Sequence, residues 1–443
     1  LFIIVDEFAE MIMRNPDYKA QFESITRLGR AFGATLILAT QRPAGMVTDQ
    51  MRSNMKFRIC LRVETPDDSK ELLNRPDAAR LPALGGRGYL QVGGGHLTEL
   101  QAAWAGGDYV DIPPDPKYPA EEVAEALGLP AGSKPGLLID WLVGSLAVEA
   151  TRQSVPKQMK PWPDPLPAVL PLNQPVDATY LKSEQAAKTV SLLINPMIDA
   201  WIRNKKEQSL WQAWDWSSPL PLRTDVGLID NPFQAEQRLL TIDLATDPLA
   251  IFGAAGRGKT TFLKSLILAL AANRSPAELN VFALDFGRGG LKAIAKLPHC
   301  GATIDASQPE RVEQLFRMIH GQMKERQERL SQFASLEDYN AQHPDPEGRF
   351  AAILVVIDNF AEFQESYEHL LPDLIALVRD GRALGIYYAI TAGTPNDLGG
   401  KLYNLFSQRV TFTLADASMY ADVVGRGALS LDNLPGRGLI NLE

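Results

Sequence analysis

PLAIFGAAGRGKTTFLKSLILALAA, Pro248 to Ala272, is an apolar strand, a glycine-rich turn and an apolar helix in one unbroken run. The turn reads GxxxxGKT from Gly253 to Thr260, and the strand before it and helix after it are the context in which that motif carries chemistry. Gly253, Ala254, Ala255, Gly256, Arg257 and Gly258 let backbone N–H groups turn inward around a phosphate, where the helix N-terminus adds partial positive charge. Lys259 is placed to reach the β- and γ-oxygens of a nucleoside triphosphate, the Thr260 hydroxyl to ligate Mg²⁺, and Thr261 to extend the cradle. A purely structural glycine turn has no need of Lys-Thr at its end. The strand–turn–helix order predicts an α/β fold.

Working outward, VFALDF (Val281 to Phe286) reads as a second strand and AAILVVID (Ala351 to Asp358) as a third. An acid closing a buried apolar strand is the expected second partner of Mg²⁺, through its water shell, so Asp358 joins Thr260 as a metal-site residue. The next residue is Asn359, whose amide holds a water but cannot accept its proton. Hydrolysis at this site is therefore expected to be slow.

The same block occurs twice. LFIIVDEFAEM (Leu1 to Met11) parallels ILVVIDNFAEF (Ile353 to Phe363), and RLGRAFGATLILAT (Arg27 to Thr40) parallels RDGRALGIYYAIT (Arg379 to Thr391). RICLRV (Arg58 to Val63) pairs with RVTFTL (Arg409 to Leu414), and each copy closes on GRG plus an apolar strand, at Gly86 and at Gly436. Matched blocks in one order identify two modules of one fold, the first expected to be truncated before its phosphate loop. The first copy reads Asp6-Glu7, with a carboxylate able to deprotonate water, and Thr40-Gln41, with a side chain able to sense a γ-phosphate. The second reads Asp358-Asn359 and Thr391-Ala392, lacking both. Arg30 and Arg382 occupy equivalent places and are candidate arginine fingers, with Arg27 and Arg379 as alternates. Arg52, Lys56, Arg58 and Arg62 form a basic cluster that either touches phosphate or lines a strand edge.

Between the modules, 13 of the 31 prolines fall in 112–135 and 155–175, which excludes continuous helix there. Leu137–Ala150 and Lys188–Ile202 interrupt this stretch with helical periodicity. Trp201, Trp211, Trp214 and Trp216 follow, read as packing the linker onto a module, with a peptide-docking surface as the second reading. The expected division is 1–105 for the C-terminal half of a first module, 106–220 for a proline-rich linker with docking helices, and 221–443 for a second module. Glu325–Gln342 reads as a charged helix with a solvated face followed by a turn, and Gly93–Gly95 as a turn. Two cysteines in 443 residues exclude a disulfide framework, and a net charge of −9 gives no bulk field for nucleic acid. The five histidines show no metal-ligand spacing, and no serine-hydrolase elbow occurs.

VDEF, ATQRP, the GxxxxGKT loop and the LDF strand together resemble the FtsK/SpoIIIE motor ATPases. LQAAWAGGDY (Leu100 to Tyr109), VGLIDNPFQAEQ (Val226 to Gln237), LPHCGATI (Leu297 to Ile304) and ERQERLSQFASLEDYN (Glu325 to Asn340) are similar to the type VII secretion branch, the EccC/EssC proteins. The resemblance covers both modules but not the proline-rich middle. It implies tandem RecA-like modules, each a mostly parallel sheet with helices on both faces and nucleotide at the strand C-termini, that use ATP and Mg²⁺ in the cytoplasmic part of a membrane-anchored protein. It implies as partners the other ATPase modules, a ring of identical chains, and small helical-hairpin substrates recognised through a C-terminal signal. A double-stranded DNA translocase of the same superfamily is the second reading, and a nucleotide-gated docking platform without turnover the third.

Overall fold

Each copy of the repeated block folds as the same parallel strand pair, one in each of two units, Leu1–Gln158 and Met159–Glu443. The computed structural model describes residues 1–41, 45–110, 117–156, 158, 160–177, 191–203, 222–232, 234–343, 348–426, 431 and 434–441.

In the first unit, β1 (Phe2–Val5) lies parallel to β2 (Thr35–Leu38), joined through α1 (Phe8–Arg14) and α2 (Tyr18–Leu28). Phe8, Ile12, Phe22 and Met51 form the core beneath the pair, Met51 coming from α3 (Asp49–Asn54). A three-stranded antiparallel sheet follows, β3 (Phe57–Leu61), β4 (Arg87–Val92) and β5 (Leu97–Gln101), with Gly93–Gly95 turning β4 into β5. Helix α4 (Pro66–Leu73) starts where local chemistry dictates: the Thr65 hydroxyl accepts from Asp68 N–H and Pro66 fills the first turn. Helices α5 (Ala120–Ala126) and α6 (Leu138–Arg152) pack at Gly144, where a Cβ would come within 2.5 Å of Val123 Cγ1.

The second unit opens with an antiparallel hairpin of β6 (Pro175–Asp177) and β7 (Ser191–Leu193), then α7 (Pro196–Arg203). The helical periodicity of Lys188–Ile202 thus resolves into a strand and a helix, among the described residues. The reason is Asn195-Pro196: proline disfavours helix in the residue before it, and the Asn195 side chain caps Ile198 N–H at 3.1 Å. Trp201 on α7 donates to Ala272 O at 3.1 Å, fastening this helix to the module, while Trp211, Trp214 and Trp216 lie outside the described residues.

After the hairpin β8 (Arg223–Asn231) and β9 (Glu236–Asp243) come β10 (Leu249–Phe252), α8 (Lys259–Asn273), β11 (Leu279–Asp285), β12 (Cys300–Asp305), α9 (Pro309–Arg329), α10 (Leu336–Gln342) and β13 (Ala352–Asp358). Then follow α11 (Phe360–Ser366), α12 (Leu371–Gly381), β14 (Ile386–Ala392), α13 (Gly399–Tyr403), β15 (Gln408–Phe412), α14 (Tyr420–Val424) and β16 (Gly438–Ile440). The sheet order is β12-β11-β13-β14-β10-β15-β16, parallel throughout except for β16. Strand alternation splits the core between the two faces. Ile353, Val355 and Ile357 of β13 face a layer containing α9, α11 and α12, while Ala352, Leu354 and Val356 face the layer of α8. Burial on both faces explains why these strands read as unbroken apolar runs. This is the RecA-like α/β arrangement expected of the second module.

The charged stretch Glu325–Gln342 departs from its simple reading. Helix α9 ends at Arg329, a new helix begins at Ser335, whose hydroxyl accepts from Asp338 N–H, and Arg326 is buried rather than solvated. Its guanidinium donates to Leu384 O at 2.8 Å and Ala351 O at 2.7 Å, tying the starts of β13 and β14 together. Burial lowers its pKa to about 10.

Candidate functional site

The phosphate-loop residues lie together between β10 and α8. Gly256 (φ 74°) and Gly258 (φ 111°) take left-handed conformations that a side chain would resist. The Lys259 ammonium donates to Gly253 O at 2.5 Å and Ala254 O at 3.1 Å, so it lies across the mouth of the loop. Burial lowers its pKa, opposed by the carboxylates of Asp358 and Asp397.

At the end of β13, Asp358 is 2% exposed. Its Oδ2 accepts from the Thr260 hydroxyl at 2.7 Å and its Oδ1 from the Thr391 hydroxyl at 2.6 Å. Thr391 in turn accepts from Asn359 N–H at 2.9 Å. Asn359 stands at φ 64°, ψ 68°, and its amide nitrogen donates to Phe286 O at 3.2 Å. Its counterpart Glu7 has the same left-handed backbone, φ 52°, ψ 44°, and its Oε2 accepts from Gln41 N–H at 3.4 Å. Asp6, Glu7 and Gln41 are thus brought together in the first unit; the phosphate loop, Asp358 and Asn359 are brought together in the second. Asp6 is exposed, unlike Asp358.

The strand registers refine the pairing of the copies. Val5 stands opposite Leu38 and Ile357 opposite Ile390, each partner five residues after a left-handed glycine, Gly33 or Gly385. Counted this way, Thr391 is level with Ala39, and Thr40 falls one residue later. The hydroxyl that holds Asp358 therefore has no counterpart at the level position of the first copy.

Thr260 and Asp358 fit a Mg²⁺ site. A hydroxyl and a carboxylate converge, and the neighbouring loop is cut back to leave room. A Cβ on Gly287 would lie 2.4 Å from Asp358 Oδ2, and one on Gly290 would lie 2.6 Å from Thr260 Cγ2. Among the described residues no group of three His, Cys, Asp or Glu side chains is arranged to hold a metal, so nucleotide oxygens and water would complete the coordination.

Several site residues escaped the sequence reading. Asp285, buried at the end of β11, accepts from Gly287 N–H at 3.1 Å and Leu291 N–H at 2.7 Å, fixing the loop that faces Asp358. Asp397 ties the loop after β14 by accepting from Gly393 and Thr394 N–H groups. Gly436, from the repeated GRG, donates to Arg257 O at 3.1 Å and lies over Gly258. The exact recurrence of GRG in both copies was the available signal for the last. Beside this contact a cleft of 660 Å³ opens, with Thr261, Phe262 and Ser265 of α8 on one wall and Leu166–Leu170, Val226–Asn231 and Leu434–Ile440 on others. Its lining is mostly apolar, suited to a flat heterocycle next to the phosphate loop.

The arginines divide. Arg382 pairs with Asp247 at 3.1 Å, just before the amino end of β10, and Arg379 pairs with Asp380. Arg30 occupies the equivalent short helical turn of the first unit and is exposed. In the basic cluster, Arg52 pairs with Glu71, and Arg58 is spent on Gln91 and the carbonyls of Met55 and Arg52. Internal partners thus account for both.

Residues 211–424 match the FtsK/SpoIIIE family. Over its whole length the chain is 29% identical to the ESX secretion system protein EccC of Geobacillus thermodenitrificans and 28% identical to the type VII secretion system protein EssC of Staphylococcus aureus. It spans only 28% and 29% of the length of those relatives. The cytoplasmic domain of the type VII secretion ATPase EccC of Thermomonospora curvata superposes with a TM-score of 0.73 at 25% identity, covering 99% of this chain and 46% of that one. No described helix is long and apolar enough to cross a membrane.

Proposed function

We propose that this chain, which carries an FtsK/SpoIIIE P-loop ATPase domain, is a segment of a type VII-like protein secretion ATPase whose second module binds MgATP and hydrolyses it slowly. The observation that carries the slow turnover is Asn359. It occupies the left-handed position after the metal-site acid, where the first copy carries Glu7, and its amide nitrogen is committed to Phe286 O. A carboxamide there positions water without removing its proton.

In this reading the loop Gly253–Gly258 wraps the phosphates with its amides, Lys259 neutralises the β- and γ-oxygens, and Thr261 lies on the side toward the apolar cleft, which takes the base. Thr260 and Asp358 hold Mg²⁺, which supplies charge neutralisation on the phosphates. Asp6, Glu7 and Gln41 are the hydrolytic set of the first module. Arg30 and Arg382 act in a neighbouring module or a neighbouring copy of the chain, with Arg382 leaving Asp247 to do so. The modules divide as 1–105 and 221–443 with a proline-rich linker at 106–220. The complete protein is membrane-anchored with these modules in the cytoplasm, assembles as a ring, and exports small helical-hairpin proteins through their C-terminal signals.

Restoring the carboxylate tests this directly. Glu7 shows that glutamate tolerates the backbone conformation required, so Asn359→Glu is expected to raise phosphate release while leaving nucleotide affinity within about threefold. No gain in release would refute the lapsed-motor reading and favour a non-hydrolysing docking platform. Duplex-stimulated ATP turnover would favour the DNA translocase instead.

A further inference from the structure

The second module lacks a side chain at the end of β14 able to report on a terminal phosphate, since Ala392 and Gly393 follow Thr391. A different loop supplies one. Phe286-Gly287-Arg288-Gly289-Gly290 connects β11 to the segment behind it and lies against both candidate Mg²⁺ residues: the Cβ position of Gly287 meets Asp358 Oδ2, and that of Gly290 meets Thr260 Cγ2. Arg288 sits between these two contacts, one residue after Gly287.

The loop is held from several directions. Asp285 takes the N–H groups of Gly287 and Leu291, Phe286 N–H donates to Asp358 O at 3.1 Å, and Asn359 donates to Phe286 O. That scaffold keeps Arg288 at φ 65°, a conformation glycine takes readily and arginine resists. Three glycines surround it, yet this strained position carries the long cationic side chain. Arg288 is exposed, and it forms no hydrogen bond or ion pair with any described residue. An exposed arginine without a partner, on a turn that packs against Thr260 and Asp358, is available to a ligand held there.

We propose that Arg288 binds the terminal phosphate of a nucleoside triphosphate held by the loop Gly253–Thr260 of the same chain, and so acts as this module's sensor of triphosphate over diphosphate. The planar guanidinium presents paired donors that match phosphate oxygens. It takes the place of Gln41 in the first copy, approaching from the β11 loop instead of the end of the adjacent strand. The inference rests on the phosphate-loop reading of the second module, and the test separates the two.

The full chain is titrated with MgATP and MgADP by calorimetry, as wild type and as Arg288→Gly, Arg288→Lys and Lys259→Ala. Glycine suits the backbone at φ 65°, so Arg288→Gly is expected to fold; amide exchange in β11 and β13 verifies it. The expected result is that Arg288→Gly loses ATP affinity on the order of tenfold to a hundredfold, while ADP affinity changes less than about twofold. Arg288→Lys is expected to recover part of the ATP affinity. Equal losses for ATP and ADP, or no loss for either, would overturn the proposal. Should Lys259→Ala leave both affinities intact, the phosphate-loop reading itself fails, whatever Arg288 does.

Discussion

Thr391 offers the sharpest test of how this site is built, because its single hydroxyl serves two groups at once. It donates to Asp358 Oδ1 at 2.6 Å and accepts from Asn359 N–H at 2.9 Å, in a side chain with no solvent exposure. Thr391→Val keeps the shape and removes both bonds. The bond to a carboxylate contributes about 1.5–3 kcal/mol and the neutral one about 0.5–1.5 kcal/mol, so the loss is about 2–4.5 kcal/mol. Thr391→Ser keeps both bonds and removes a buried methyl group, at a cost of about 0.5–1.5 kcal/mol by analogy with Ile→Val. Hydrophobic burial alone predicts the opposite order, with valine preferred over serine at a fully buried strand position. The assay is native-state amide exchange of β13 and β14. Thr391→Val is expected to lower protection about thirtyfold to two-thousandfold where exchange reports global opening, and Thr391→Ser about tenfold or less. Valine equal to or more stable than serine would refute the argument that the hydroxyl, not the methyl, holds this position.

Three further outcomes are expected. Gly385→Ala meets Leu336 Cδ2 at 2.3 Å at φ 73°, whereas Gly33→Ala at φ 66° meets nothing within 4 Å; denaturant titration should show about 1–2 kcal/mol lost for Gly33→Ala, and about 1–3 kcal/mol more for Gly385→Ala. Gly287→Ala drives a methyl onto Asp358 Oδ2, and calorimetry with and without Mg²⁺ should show that the metal no longer strengthens ATP binding. Cys60, whose thiol pKa burial raises to about 11, holds about one thiolate in a thousand at pH 8, so mass spectrometry after brief iodoacetamide treatment should find it unmodified in the native chain and modified in urea.

What the sequence disclosed, and what it withheld, follows from the range over which each feature acts. The phosphate-loop motif is local: its glycines, lysine and threonine follow one another in the chain, so Gly253–Thr260 is readable without the fold, although Thr413 and Gly436 also hold its backbone. Asp358 was readable because the strand it closes is buried on both faces and so lacks polar interruption. The repeat carried the architecture, since matched blocks in one order imply matched strands. Pro196 is equally plain in the sequence, yet apolar periodicity alone extends the helix back to Lys188, whereas it begins only at Pro196. Arg326 and Asp285 were not readable. A charged residue in a charged helix signals solvent until a neighbouring pair of strands presents carbonyls to it, and the role of Asp285 depends on a glycine loop folding back toward a strand two blocks away. The one-residue slip between Thr40 and Thr391 likewise needed strand register, because pairing by identity aligns threonine with threonine.

The central claim is that the second module holds MgATP without turning it over quickly. Its most direct test is calorimetry of MgATP binding to the full chain beside Lys259→Ala, with phosphate release from the same samples followed in parallel. The account predicts binding that Lys259→Ala abolishes, accompanied by release so slow that bound ATP outlasts the titration. Rapid release that Lys259→Ala abolishes and a Glu7→Gln variant leaves intact would contradict it, because the proton would then leave water at a site where Asn359 cannot take it.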